Sequence, residues 1–496
     1  MSHARKEWSI PVFPAFPWGT LVEKPYLTTM RFRETDAPDE QYRMLITTDT
    51  EAADFVAYAD MLAAEGFSVT AHAQNAEEIL SYWVRSGEDR MYMYYTASTK
   101  QARFILDRYD TVALEDFAYS YEKKEGENTT FYMYGLKLHP HGINIGETYP
   151  PLTETLLYDA HPELRGKAGM KQETYKNCGA MYVIKLADNS VMIIDGGEYR
   201  SICVEQAVYF NNFLHTITGT PIREKVRINC WFITHPHGDH ITGFVRFMNG
   251  FHDYYELERV TFNMEQGTFG CNALKRWYPG LIYHKLHTGE HFTLADMQID
   301  VLYTLEDLVR VGSMTCEYWR EGLLPEEIPG RKDENSTSAV LRLTIDGRTV
   351  MITGDTAKQS GIVLLRNYAP NDFASLKVDI LQIPHHAWNN LPDFYAAVNP
   401  RFSVINQSHG GTHRGISGHA FKTYRSVEAA TVGGISNMYF AGDETVGFEV
   451  KEGEFQIVFR DIAVGYAWDG SDGGAECRWD MSLTIPDYAF PSDPQS

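Results

Sequence analysis

The chain has 496 residues, 44% hydrophobic and 22% charged, which supplies enough apolar material for a sizeable core and excludes wholesale disorder. Its length exceeds one ordinary domain and fits two or three. The 44 Lys and Arg against 66 Asp and Glu leave a net charge of −22, which repels long nucleic acid and anionic membrane unless a basic patch or a bound cation intervenes.

No uncharged apolar run approaches the roughly 20 residues of a membrane helix. The stretch Trp8 to Trp18 is broken by Pro11, Pro14 and Pro17 and makes a poor signal-peptide core. Six cysteines without CxxC spacing read as reduced, mostly buried thiols of a cytoplasmic protein. In chain order, residues 1–165 are predicted to form a small α/β domain and linker. A strand over Met44–Thr47 is followed by a capping box of Thr48 with Glu51. Phe55, Ala59 and Leu62 then share a helical face that Gly66 ends. Strand-like runs follow at Phe67–Ala73, Ser81–Arg85, Arg90–Thr99 and Ala102–Leu106, and the aromatic stretch Tyr92 to Tyr95 is read as a sheet face packed on that helix. The Pro-, Gly- and His-rich segment 139–170 reads as a linker or cover.

A second domain is predicted over 170–460, and 461–496 reads as an irregular tail. Met181–Leu186 and Val191–Ile194 are strands joined at Asp188-Asn189, the second ending in the tight turn Asp195-Gly196-Gly197. A helix is predicted over Val204–Leu214 and a strand over Arg227–Ile233. Directly after that strand, His235, His237, Asp239 and His240 fall within six residues. Imidazole and carboxylate suit Zn²⁺, with Mn and Fe as alternatives. A loop between a strand and the helix-like run Ile241–Met248 lets His235 and His237 point one way and Asp239 and His240 another, which suits two adjacent ions.

Here the sequence resembles the metallo-β-lactamase-fold hydrolase superfamily, whose first metal motif is HxHxDH. The resemblance spans about residues 173–460 and implies an α/β fold, the metallo-β-lactamase αββα sandwich, preceded by the small N-terminal α/β domain. In order, Tyr182 to Gly197 looks like the opening hairpin, Gly289–Leu294 with Ile299–Leu302 like the middle strands, and Thr349–Asp355 like the strand whose final aspartate bridges the metals. Ile380–His386 looks like the strand that delivers the last histidine. In detail the motifs look closest to the hydrolase domain of competence DNA-uptake channel proteins and to phosphorylcholine esterases. One departure stands out: no histidine lies between His291 and His385, and an insertion ending in Asn335 takes the place of a third histidine ligand of the first metal.

The resemblance implies His235 and His237 on one ion, Asp239 and His240 on the other, and Asp355 across both. His385 or His386 closes the second site, and the sequence leaves open which. Asp239 or Asp355 would orient the nucleophile. His419, which opens the helix-like run Ala420–Val427, would contact substrate or leaving group. Asp195 reads as a turn or supporting residue, and Leu138-His139-Pro140-His141 as a loop that copies part of the motif. His284, His287 and His291 read as solvated or locally bonded. Glycines and His409, His413 and Arg414 in 408–415 suit an anion.

The expected activity is metal-assisted hydrolysis of a small anionic phosphoester, either a diester or a monoester. A nuclease on short single strands and a degenerate metal-binding regulatory scaffold are the alternatives, with a β-lactam hydrolase ranked below them because fold does not set substrate. Two zinc ions are the expected cofactors. No membrane partner is expected, and a homodimer is left open.

Overall fold

The computed structural model describes residues 8, 10, 12–25, 43–107, 113–135, 180–197, 204–221, 223–263, 271–308, 317–320, 323–327, 334–406, 418–441, 444–462, 465–466 and 477–478. The strands Thr20–Pro25, Arg43–Thr48, Gln101–Asp107, Asp89–Thr96, Ile79–Ser86 and Ser68–Gln74 lie side by side in that order as an antiparallel N-terminal sheet. The helix Ala52–Ala64 covers one face with Phe55, Tyr58, Ala59 and Leu62, and Gly66 ends it at φ +94°. The expected capping box is not formed. Thr48 belongs to the strand, too far ahead of the helix to cap it, and Glu51 occupies the N-cap without a side-chain bond. The aromatic run serves two cores, because alternate strand residues point to opposite faces. Met93 and Tyr95 pack toward the helix, while Tyr92 and Tyr94 join the core of the larger domain.

Two large sheets follow, stacked face to face. The first holds nine strands, among them Tyr182–Lys185, Val191–Ile194 and Val226–Ile233. Its outer face, with Val183, Ile193 and Trp231, is covered by the helices Val204–Thr218, Gly238–Phe251 and Cys271–Trp277 through Phe210, Leu214, Phe244 and Leu274. Its inner face, with Ile184, Met192, Ile194 and Phe232, shares a core with Ile299, Leu341, Leu343 and Val350 of the second sheet. That sheet has eight strands, and the helices Lys358–Tyr368 and Pro392–Val398 pack on it through Val363, Leu364, Phe394 and Tyr395. The result is the αββα sandwich that the resemblance implies.

The sandwich draws strands from the stretch 1–165. Thr130–Met133 lies between Tyr182–Lys185 and Glu444–Lys451, and Tyr119–Ser120 pairs at the far edge of the second sheet. The last strand of the N-terminal sheet ends at Asp107, and the outer edge of the opening hairpin pairs with chain beyond it. A seam of buried polar contacts joins the two units. Trp83 Nε1 donates to Glu290 Oε1 at 2.8 Å, Tyr92 Oη to the Thr288 carbonyl at 2.9 Å and Ser81 Oγ to the Gly289 carbonyl at 2.6 Å. Among the described residues, no helix is long and apolar enough to cross a membrane.

Candidate metal centre

The site forms where loops leave the C-terminal ends of neighbouring strands. Val226–Ile233 runs straight into Thr234 and His235, and the next helix begins at Gly238 with His237 at its N-cap position. His235 is therefore delivered by the strand end, and Asp239 and His240 by the first helical turn, where a carboxylate also meets the favourable end of the helix dipole. His235 and His240 are fully buried, whereas His237 and Asp239 are half-buried.

Asp355 follows the strand Arg348–Ile352 after Gly354, whose φ is +54° and whose hydrogen would, as a Cβ, stand 2.8 Å from Thr234 Cβ. Only glycine permits both that conformation and that approach. Ser338 Oγ accepts from the Asp355 amide at 3.0 Å and holds the turn. After the strand Ile380–Gln382, His385, His386 and Ala387 take φ of 51°, 51° and 61°. Three consecutive non-glycine residues in the left-handed region cost about 1–2 kcal/mol each. The bonds His385 N to the Gly354 carbonyl, 3.2 Å, and Trp388 N to the His385 carbonyl, 2.7 Å, hold this turn in place.

These three loops bring the side chains into two clusters. One holds Asp239, His240, Asp355 and His386, the other His235, His237 and Asp355, and within each the ligand atoms lie within 4.8 Å of one another. Asp355 is common to both. Its Oδ1 stands 3.1 Å from His240 Nε2, and its Oδ2 stands 3.5 Å from His386 Nε2 and 3.8 Å from His235 Nε2. His386 Nε2 is also 2.8 Å from Asp239 Oδ2. His386 Nδ1 faces the Asn406 carbonyl at 3.3 Å, which turns Nε2 inward. His385 stands outside both clusters, with Nε2 3.9 Å from Asp355 and 3.4 Å from Asn335 Nδ2. Asn335 thus sits beside the His385 ring. The side chain of His419, whose backbone begins the helix Gly418–Ala430, lies outside the described residues, as do His139, His141 and the 408–415 loop.

The donor set fits divalent cations. Nε2 of His235, His240 and His386 and Oδ1 of Asp355 are buried and make no hydrogen bond, although carboxylates lie close by. Lone pairs gathered around a common point without donors are costly, and a cation relieves that cost. Burial opposes charge on His240 and His386, yet Asp355 and its acidic neighbours outweigh it and raise both imidazoles well above their ordinary range. The same two imidazoles outweigh burial at Asp355 and hold its carboxyl well below the usual range. His235, dominated by burial and then by His240, is held well below its ordinary value. Two imidazoles and two carboxylates in the first cluster, and two imidazoles with the shared aspartate in the second, are ligand types suited to Zn²⁺, Mn²⁺ or Fe.

Residues without an obvious signature complete the site. Asp195 accepts from the Thr234 amide and from Thr234 Oγ1, both at 2.8 Å, and Thr234 Oγ1 stands 3.1 Å from His235 Nδ1. The turn that carries Asp195 is pressed against the helix of His240, since a Cβ on Gly196 would come within 2.3 Å of the Phe244 amide nitrogen. Trp388 is 43% exposed with its ring centroid 5.4 Å and 5.8 Å from those of His385 and His386, at the solvent side of the centre. Its only sequence signal is its place two residues after the histidine doublet. His284 and His287, by contrast, are not solvated. Both are fully buried in the seam, bonded to Glu290 at 3.0 Å and Glu306 at 2.8 Å, while the more exposed His291 bonds Asp300 at 2.7 Å.

No protein-family model matches this chain. No curated protein matches it either. Among solved structures, a metallo-β-lactamase-fold protein from Bacillus subtilis is similar at 12% identity, covering 63% of this chain and 96% of its own, with a TM-score of 0.31. A diphosphatase of the PhnP family is similar at 12% identity over 66% of this chain and 99% of its own, TM-score 0.30. A metal-dependent hydrolase of the β-lactamase superfamily is similar at 13% identity over 57% and 94%, TM-score 0.30.

Proposed function

We propose that this chain is a metallohydrolase that cleaves a small phosphoester, diester or monoester, with two divalent cations, zinc foremost. The observation that carries the reading is the sharing of Asp355 between two ligand clusters, one of four residues and one of three. A carboxylate common to both ligand sets would be the group that joins two cation sites. His240, Asp239 and His386 with Asp355 would hold one ion, and His235 and His237 with Asp355 the other. Such a pair supplies water of lowered pKa and positive charge for developing phosphoryl oxygens.

The chain's own groups do the rest. Asp355 is buried and bonded at its amide, so it is a fixed ligand. Asp239, whose side chain is 22% exposed, is the carboxylate in this set that faces solvent, and it can orient an incoming water. His385 and the exposed indole of Trp388 line the approach and offer a donor and a flat face to the remainder of the substrate. The acidic surface, at −22 overall, favours a small anion drawn to the dications over a long polyanion.

The test is hydrolysis of bis(p-nitrophenyl) phosphate and p-nitrophenyl phosphate by zinc- or manganese-loaded protein, beside a single-stranded oligonucleotide. Metal-dependent turnover of a small ester, lost in His237→Ala and Asp355→Ala, is the expected result. Metal-loaded protein inert toward every ester overturns the hydrolase reading in favour of a binding scaffold. Cleavage of the oligonucleotide alone replaces the small substrate with nucleic acid.

A further inference from the structure

Trp388 stands where the ligand-bearing turn ends. His385, His386 and Ala387 hold φ of 51°, 51° and 61°, and the next residue presents its indole to solvent at 43% exposure. Its ring centroid is 5.4 Å from that of His385 and 5.8 Å from that of His386, and the latter belongs to a metal-ligand cluster. Both imidazoles are tilted against it, by 56° and 64°, so neither lies flat on the indole. Trp277, also exposed, differs, because the His252 ring is stacked on it at 22°.

The backbone that carries the indole is fixed from both sides. The Trp388 amide donates to the His385 carbonyl at 2.7 Å. Asn389 Nδ2 donates to the Thr356 carbonyl at 3.2 Å, one residue beyond Asp355. Tyr395 Oη, from the helix Pro392–Val398, donates to the Asn389 carbonyl at 2.7 Å. One braced turn therefore sets both His386 and the start of the Trp388 side chain. The open side of the centre lies here too, since the side chains of His385 and Asp239 are 19% and 22% exposed, against 2% for His386 and for Asp355. An apolar face ordered before any ligand arrives is a pre-organised contact.

An indole face offers dispersion contact and a ring quadrupole, which favour a flat partner laid parallel to it. A saturated ring of the same size is puckered and touches the face with fewer atoms. An ammonium also suits an indole, but dications on the adjoining ligands repel it, because like charges stay coupled over the few ångströms between Trp388 and His386. We propose that the ester cleaved at this centre carries a planar, uncharged ring, and that Trp388 is the face on which the ring stacks while the phosphoryl group lies at the ligand clusters. This rests on the reading of the centre as a phosphoesterase and names the substrate class within it. Trp388 is thereby a specificity-determining residue and not a metal ligand.

The test uses the full zinc-loaded chain and calorimetry with three phosphonates that cannot be hydrolysed as esters: phenylphosphonate, cyclohexylphosphonate and 2-aminoethylphosphonate. Phenylphosphonate is expected to bind at least about tenfold more tightly than either of the others, the usual scale of a ring stacked on an aromatic side chain. Trp388→Leu should reduce the phenyl-to-cyclohexyl ratio to about twofold or less, and Trp388→Phe should hold it above that, with both ions retained in each by elemental analysis. If Trp388→Leu loses its ions, the ratio in the parent decides. The proposal is overturned if the parent binds cyclohexylphosphonate as well as phenylphosphonate, if 2-aminoethylphosphonate binds most tightly, if metal-loaded Trp388→Leu keeps the preference, or if no phosphonate binds at about 10 mM. Metal-dependent ester turnover without a phenyl preference removes the stacking face and leaves the hydrolase. A Trp388-dependent phenyl preference without turnover of any ester keeps the stacking face and removes the hydrolase.

Discussion

His240 donates through Nδ1 to Asp195 Oδ2 at 2.7 Å, a buried bond between residues 45 apart in sequence. The same carboxylate takes the Thr234 hydroxyl, which in turn meets His235 Nδ1, so one aspartate orients an imidazole in each cluster. Both rings are left with Nε2 toward Asp355. Asp195→Asn removes one accepting oxygen and is expected to weaken metal affinity by about 10–100-fold, a usual cost when a partner of a ligating histidine is lost. Competition with a chromogenic chelator measures it, and unchanged affinity would remove Asp195 from the centre.

The two clusters share one residue but differ in the others, which makes stoichiometry diagnostic. His237→Ala is expected to retain one ion per chain and Asp355→Ala to retain none, as counted by elemental analysis after dialysis. His386→Ala should lose an ion whereas His385→Ala keeps both, because His385 stands outside the ligand clusters. Two retained ions in Asp355→Ala would contradict the bridging role.

Gly354→Ala places a methyl against Thr234 in a left-handed backbone. A loss of about 1–3 kcal/mol of stability is expected, together with weaker metal binding because Asp355 is displaced. Chemical denaturation checks the first and chelator competition the second; a variant as stable as the parent would show that the turn is not held at φ +54°.

The metal-free centre keeps protons where cations would sit. Burial resists them, but Asp355, Asp195 and Asp239 raise His240, and Asp355 and Asp239 raise His386. These protons must leave on metal binding, so apparent affinity climbs with pH. Calorimetry at neutral pH in two buffers of different ionisation enthalpy should show net proton release, and a proton-neutral reaction would refute the assignment. For stability, a raised folded pKa contributes fully below the ordinary imidazole range and is lost as pH rises through the folded value. Chelator-treated protein is therefore expected to lose stability on the alkaline side of that range, and metal-loaded protein to lose less.

Trp83 is 1% exposed and ties the N-terminal sheet to Glu290 across the seam. Trp83→Ala should cost about 3–5 kcal/mol, and the parent protein should unfold in one transition that includes both units. Two transitions in the parent, with the variant affecting only one, would show that the seam does not couple them.

The sequence by itself settled the residue types and order of the centre. Imidazoles and a carboxylate between 235 and 240, an aspartate after the strand at 348–352 and a histidine doublet after that at 380–382 each follow a strand, and strands of a sandwich release their loops along a common edge. It also displayed the helix at 52–64 and the strands that lead into the clusters, because side-chain periodicity is local. That His386 joins a cluster while His385 stands outside was not legible, since it depends on a left-handed turn braced by Gly354 and Asn406 from distant chain. Nor was the burial of His284 and His287, whose carboxylate partners matter only once the N-terminal sheet closes over them. Strand 130–133 likewise joined the larger domain because pairing is a contact between segments far apart in sequence. Spacing along the chain decides which groups can share a face, but which of them lose water and which partners replace it is decided by the packing of remote surfaces.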